Sequence, residues 1–178
     1  MTDILIIGGG IAGISAAARL SEHASVTLLE GESALGYHAS GRSAALFEEN
    51  YGCASVNALS RASADYHHNA NGGYLSPRGF LLLGRAGEDA AFDADLNDLS
   101  SVEISVADAR AHVPILNDKI TRAAYHSSAL DIDTDRLIQD FAKQVRRNGG
   151  TIITNALVDA ITFKNDRWSV SAGTETYA

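Results

Sequence analysis

A single cysteine, Cys53, rules out an intramolecular disulfide and fits a reducing compartment. We read it as a small packed residue. Basic residues are also scarce: 14 Lys and Arg stand against 22 Asp and Glu, for a net charge of −8. Nucleic acid and anionic membrane are therefore disfavoured as partners, because neither would gain electrostatic attraction. No apolar run approaches the roughly 20 residues of a membrane span, and Asp3 stands where a signal peptide carries basic residues. A cytoplasmic location is the default expectation. There is no internal repeat and no low-complexity tract. What is present is ordinary for a globular chain: 178 residues, 46% of them hydrophobic, enough for a real core in one or two domains.

The most informative segment is the first thirty residues. An apolar run from Ile4 to Ile7 enters Gly8, Gly10 and Gly13, and a second apolar run through Val26, Leu28 and Leu29 ends in Glu30. The layout is that of a dinucleotide-binding βαβ unit. Gly8 permits the turn from strand to helix, Gly10 lets backbone amides approach a pyrophosphate, and Gly13 lets the helix lie close to the strand. The phosphates then meet a helix N-terminus, where unpaired amides and the helix dipole favour negative charge. A carboxylate at Glu30 can accept hydrogen bonds from ribose hydroxyls and would repel a 2′-phosphate, which disfavours NADP.

Further elements follow from periodicity and breakers. Gly41 to Phe47 reads as the opening of a helix capped by Ser40, and a longer helix is expected from about Ser55 to His68, broken by Asn71, Gly72 and Gly73. Phe80 to Leu83 reads as a strand, Glu88 to Leu99 and Val106 to His112 as helices, and Ile120 to His126 as a strand. From Thr134 an apolar stripe of Leu137, Ile138, Phe141, Ala142 and Val145 predicts a helix ending at Arg146, Arg147, Asn148 and Gly149. Thr151 to Thr154 is a strand suited to a parallel sheet; Val158 to Phe163, Trp168 to Ser171 and Thr174 to Tyr177 read as an antiparallel meander.

The expected fold class is therefore α/β, with a Rossmann-like parallel sheet and part of a β-rich domain. The nucleotide domain is expected to be discontinuous, using residues 1 to about 50 and about 130 to 178, with residues 51–129 as part of a substrate domain. Tyr177 and Ala178 carry no cap, turn or polar tail, which suggests a fragment or one piece of a longer enzyme.

A second motif lies between Gly36 and Ala45: Gly-Tyr-His-Ala-Ser-Gly-Arg-Ser-Ala-Ala. Ser40 and Ser43 can donate to phosphate or ribityl oxygens, Gly41 admits close approach, and Arg42 can neutralise charge. An NAD site needs no second cradle of this kind, whereas FAD must be led on to its isoalloxazine ring.

The glycine triplet, Glu30 and the His-Ala-Ser-Gly-Arg-Ser-Ala-Ala run resemble the amino-acid oxidase and dehydrogenase flavoproteins, among them glycine oxidases and D-amino-acid oxidases. Within that family the likeness is greatest to the bacterial D-arginine dehydrogenases. It extends through Tyr51-Gly52, Leu75-Ser76-Pro77-Arg78, Ile132-Asp133-Thr134-Asp135 and Arg146-Arg147-Asn148, nearly the whole chain. The resemblance implies FAD as cofactor and oxidation of the carbon–nitrogen bond of a D-amino acid by hydride transfer from the α-carbon to flavin N5. Carried over by position, it implies that Gly8, Gly10, Ile11, Ala12, Gly13, Glu30, Gly31, the run Ala39, Ser40, Gly41, Arg42, Ser43, Ala44, Ala45 and Leu46, and Val158 touch FAD. Tyr51 would close over the substrate.

Two positions depart from the arginine enzymes, where a histidine lies near the flavin and an acid pairs with the substrate guanidinium. Leu46 and Phe80 stand there instead. A buried cation without its partner costs about 3–5 kcal/mol, so D-arginine is expected to be a poor substrate and an uncharged or apolar side chain a better one. The family's carboxylate-clamping arginines and its second glycine-rich strand-turn have no counterpart in these residues.

Other features have plainer readings. His67 and His68 lack a third metal ligand at a convincing spacing and read as a solvated helix face, so no metal is expected. Asp131, Asp133 and Asp135 precede a helix and read as caps. His38 lies within the cradle without an acid–base role. Two alternatives stay open beside the leading one: a secondary-amine oxidoreductase of the sarcosine or glycine oxidase kind, and a non-catalytic FAD-binding subunit or fragment acting with a partner chain. No catalytic residue is assigned.

Overall fold

The computed structural model describes residues 2–177. By contacts the chain divides into two compact units, one formed by Met1–Ala44 with Asp133–Ala178 and the other by Ala45–Ile132. The first unit opens with strand β1, Ile4–Ile7, helix α1, Ile11–Leu20, and strand β2, Val26–Leu29. Strands β1 and β2 are parallel, with Ile4 opposite Val26 and Ile7 opposite Leu29. Helix α1 buries Ile14, Ala17 and Ala18, and small alanines on that stripe let it sit close to the sheet. A single-turn 3₁₀ helix at Ala39–Gly41 ends this half of the unit.

The second unit holds two antiparallel sheets. Strand β3, Leu46–Phe47, is followed by helix α2, Ala54–Asn69, strand β4, Leu75–Pro77, and strand β5, Phe80–Arg85. Then come helix α3, Asp89–Asp98, strand β6, Val102–Ile104, helix α4, Val106–His112, strand β7, Ile120–His126, and strand β8, Leu130–Ile132. The sheet orders are β3-β8-β4 and β5-β7-β6. Helix α3 drops Phe92 onto β5 at Gly84, where a Cβ would come within 2.8 Å of the ring. Arg122 of β7 stacks over Phe92 and pairs with Glu103 and Asp93, contacts that raise its pKa further.

The chain re-enters the first unit through helix α5, Thr134–Arg147, whose N-cap Asp133 accepts the Arg136 amide. The helix buries the expected stripe of Leu137, Ile138, Phe141, Ala142 and Val145, and it packs beside α1. Strand β9, Thr151–Ile153, adds in parallel to β2, giving the order β1-β2-β9. Strands β10, Ala160–Lys164, β11, Arg167–Ala172, and β12, Glu175–Tyr177, form the antiparallel meander. Leu29, Ala156 and Val170 are buried together between this meander and the parallel sheet. The architecture is thus α/β, with one parallel sheet and several antiparallel ones.

Three local readings are corrected. The segment from Gly41 to Phe47 is not a helix: Ala45 takes a left-handed φ of 55°, and Leu46 and Phe47 pair with β8 instead. A left-handed alanine ends helical propagation, and the ladder with Asp131 and Leu130 supplies the hydrogen bonds. Cys53 is not packed but exposed at the start of α2, and the hydroxyl of Ser55 is the largest of the hydrogen-bonding influences that lower its thiol pKa. His67 is not a solvated residue: it makes edge contacts with Phe47 and Tyr66, and burial lowers its pKa, with the His68 charge second. His68 does face solvent.

Leu28 is fully buried on the central strand of the parallel sheet. Leu28→Ala is expected to lower stability by about 2–5 kcal/mol, read as a drop in the urea midpoint at an unchanged m-value. A loss below about 0.5 kcal/mol would overturn the placement of Leu28 in a packed core, because the lost transfer free energy persists even when the site collapses.

Candidate functional site

The turn between β1 and α1 is built from backbone. Gly8 has a φ of 103°, a conformation that favours glycine, and its amide donates to the Leu29 carbonyl at 2.8 Å. At Gly13 a Cβ would lie 1.9 Å from the Gly8 carbonyl oxygen, so no larger residue could let the helix start this close to the strand. Gly10 is the N-cap of α1. The amides of Gly10, Ala12 and Gly13 have no partner among the described residues, while the Ile11 amide donates to Ser40 Oγ at 3.0 Å. Three open donors at a helix N-terminus are an arrangement able to accept an anion.

Glu30 closes the other side of this turn. Its side chain is almost fully buried; Oε2 accepts the Gly9 amide at 2.6 Å and Oε1 accepts the Glu32 amide at 2.8 Å. Each oxygen keeps a further lone pair for a hydroxyl. Gly9 is a residue that sequence reasoning missed: a Cβ there would lie 2.3 Å from Leu35 Cδ2 and 3.0 Å from Glu30 Oε2. Its signal was the uninterrupted Gly8-Gly9-Gly10 run. Gly31 lies against Leu157, which would meet a Cβ at 3.1 Å, and the Ala156 amide donates to the Glu30 carbonyl. Leu157, 75% exposed, is a second missed neighbour of this edge. Val158 is partly buried and packs against the core formed by Leu29, Ala156 and Val170.

The cradle after Gly36 folds onto the same turn. Gly36 has a φ of 67° and donates to the Gly9 carbonyl at 3.0 Å, and a Cβ on Gly41 would lie 2.3 Å from the Gly36 carbonyl oxygen. Ser40 caps α1, not the expected helix after it, and its hydroxyl hydrogen remains available to donate. Arg42 Nε donates to the Tyr37 carbonyl at 3.1 Å and the guanidinium stacks over the Tyr37 ring, which fixes its direction. His38 Nε2 pairs with Glu32 Oε1 at 2.8 Å. Ala39 opens the 3₁₀ turn, and Ser43 and Ala44 are exposed beyond it. The first unit therefore carries the whole expected set except Ala45 and Leu46, which begin the second unit.

The second unit has its own cavity of about 470 Å³. Tyr51 and Phe80 line it, as do Asn57, Leu82, Asp95 and Asp98. Leu46 does not border this cavity; it sits in β3 opposite Asp131. Asn57, Asp95 and Asp98 are residues that sequence reasoning missed, since nothing in their local pattern marks them. Asn57 Oδ1 is buried without a hydrogen-bond partner among the described residues. No cluster of three or more metal-ligating side chains occurs among the described residues.

The sequence profile of the family described as FAD dependent oxidoreductase matches residues 3–178. The chain belongs to that family, and FAD is its cofactor. Solved structures of similar fold include L-proline dehydrogenase from P. horikoshii, at TM-score 0.75 and 18% identity, covering 98% of this chain and 50% of that one. Glycine oxidase from Bacillus cereus ATCC 14579 matches at 0.76 and 22%, covering 99% and 52%. L-alpha-glycerophosphate oxidase from Mycoplasma pneumoniae with FAD bound matches at 0.78 and 19%, covering 98% and 50%. The chain spans about half the length of these structures.

The residues present fit a dinucleotide, with open amides, a fixed acceptor carboxylate and a surface kept clear of Cβ atoms. Glu30→Ala frees the Gly9 and Glu32 amides as well as removing the acceptor. It is expected to weaken FAD by about tenfold or more, measured by flavin retained after gel filtration and by fluorescence titration. Unchanged retention would show that Glu30 contributes nothing to FAD binding.

Proposed function

We propose that the protein is an FAD-dependent oxidoreductase that oxidises the carbon–nitrogen bond of a D-amino acid with an uncharged or apolar side chain. The observation that carries this reading is the pairing of Tyr51 and Phe80 on one cavity, within a chain whose other unit presents the open amides of Gly10, Ala12 and Gly13 beside Glu30. The oxidase and dehydrogenase titles of the similar structures, glycine oxidase and L-proline dehydrogenase among them, support an amino acid or amine as substrate class.

In this reading the amides of Gly10, Ala12 and Gly13 bind the pyrophosphate, and Ser40, Gly41, Arg42 and Ser43 extend the track along the cofactor. Ile11, Ala39, Ala44, Ala45 and Leu46 complete the contact surface, with Glu30 and Gly31 at the ribose and Val158 offering its backbone. Bound FAD supplies the hydride acceptor, N5 of its flavin. With FAD bound, hydride would pass from the α-carbon to the flavin, the nitrogen would lose a proton, and the resulting imine would take up water to give a keto acid and ammonia. Tyr51 closes over the substrate and excludes water, while Phe80 offers an apolar wall where a guanidinium would need a buried carboxylate. Asp95 and Asp98 are solvent-exposed, and exposed ion pairs contribute at most about 1 kcal/mol. The substrate carboxylate would be clamped from outside residues 1–178, by the same polypeptide or by a partner chain.

Purified protein is expected to show the visible bands of oxidised flavin and to bleach anaerobically with D-leucine. The kcat/KM for D-leucine should exceed that for D-arginine by about a hundredfold or more. Equal values would overturn the apolar reading. Bleaching by sarcosine but not by D-leucine would favour a secondary-amine enzyme, and bound flavin that no amine bleaches would favour a non-catalytic FAD-binding subunit.

A further inference from the structure

The turn that carries Tyr51 has little hold of its own: Tyr51 is 63% exposed, and Gly52 has a φ of 120° with Val56 within 3.3 Å of any Cβ. Its anchor lies three residues earlier. Glu48 carries a side chain only 7% exposed, and its Oε2 lies 2.6 Å from Nε2 of His126, itself 11% exposed. Glu48 Oε1 accepts the Asn50 amide at 3.0 Å, and the Glu48 carbonyl accepts the Tyr51 amide at 3.4 Å. Asn50 is held a second time by helix α2, where Arg61 Nη2 donates to its Oδ1 at 2.7 Å and Asn57 Nδ2 to its carbonyl at 3.4 Å.

His126 is not placed at random along β7. It stands opposite Phe80 in the β5–β7 ladder. The strand pair that supplies the Phe80 wall thus also supplies the anchor for the turn bearing Tyr51. Neither Glu48 nor His126 is among the residues that line the cavity.

We propose that Glu48 and His126 are positioning residues for substrate binding: the buried pair ties the Asn50–Tyr51–Gly52 turn to the strand carrying Phe80 and thereby sets the spacing of the two cavity walls. The inference rests on the proposed reading of that cavity as the substrate site. It predicts an effect on KM, because Tyr51 closes over the substrate and takes no part in the transfer itself.

Hydrogen exchange and turnover test it together on the holoprotein. In the wild type the Asn50 amide should exchange about tenfold or more slowly than an exposed loop amide; loop-like exchange there would overturn the proposal without any variant. Glu48→Ala should speed Asn50 exchange about tenfold or more, with exchange in the first unit and the flavin spectrum unchanged. It should also raise KM for the amino acid about tenfold while kcat stays within twofold. Glu48→Gln keeps an acceptor for the Asn50 amide and should restore both slow exchange and KM. Equal acceleration across the whole second unit, or a fall in kcat at constant KM, would reduce the pair to a structural role. If no amino acid or amine turns over on the wild type, the proposed function fails, and Asn50 exchange still decides whether the pair holds the turn.

Discussion

The structure depends on a close approach of backbone to backbone. Helix α1 begins so near strand β1 that a methyl group on Gly13 would lie 1.9 Å from the Gly8 carbonyl oxygen. That contact fixes where the first amides of the helix point, and those amides are the positive end of the site. Three later residues then lock onto the same turn: Glu30 through the Gly9 amide, Gly36 through the Gly9 carbonyl, and Ser40 through the Ile11 amide. Moving the helix outward by the width of a methyl would misalign all three.

The two units use different physical means. In the first, the open donors at the start of α1 are peptide dipoles, which stay oriented because the secondary structure orients them and which cannot be lost by a rotamer change. In the second, the cavity wall is held by side chains: a buried carboxylate, an imidazole, an asparagine and an arginine around one exposed tyrosine turn. Of these, the Glu48–His126 pair is buried, and because a buried polar group is costly without its partner, each of the two constrains the position of the other.

Much of the first unit was legible from local pattern. Periodic apolar positions in Leu137, Ile138, Phe141, Ala142 and Val145 are those buried by α5, and Asp133 caps that helix as its position before Thr134 predicted. The βαβ unit was legible for the same reason, since strand, glycine turn and helix are set within about twenty residues. Local pattern was misleading where a contact made far away decided the outcome. Leu46 and Phe47 are strand residues because β8, over eighty residues later, offers a ladder. Ser40 caps a helix behind it in sequence instead of the expected one ahead, and Cys53 stays exposed because α2 presents no buried face there.

By itself the sequence determined the class of ligand, because glycine spacing and a carboxylate at a strand end act through backbone geometry and charge, which are local. Tertiary structure decided the rest of the second unit. It set Tyr51 and Phe80 on one cavity with Asn57, Asp95 and Asp98, and left Leu46 off it. It also joined Glu48 to His126 across 78 positions. Cavity walls and buried pairs are made by residues remote in the chain, and no periodicity within a segment records which remote residue will face it.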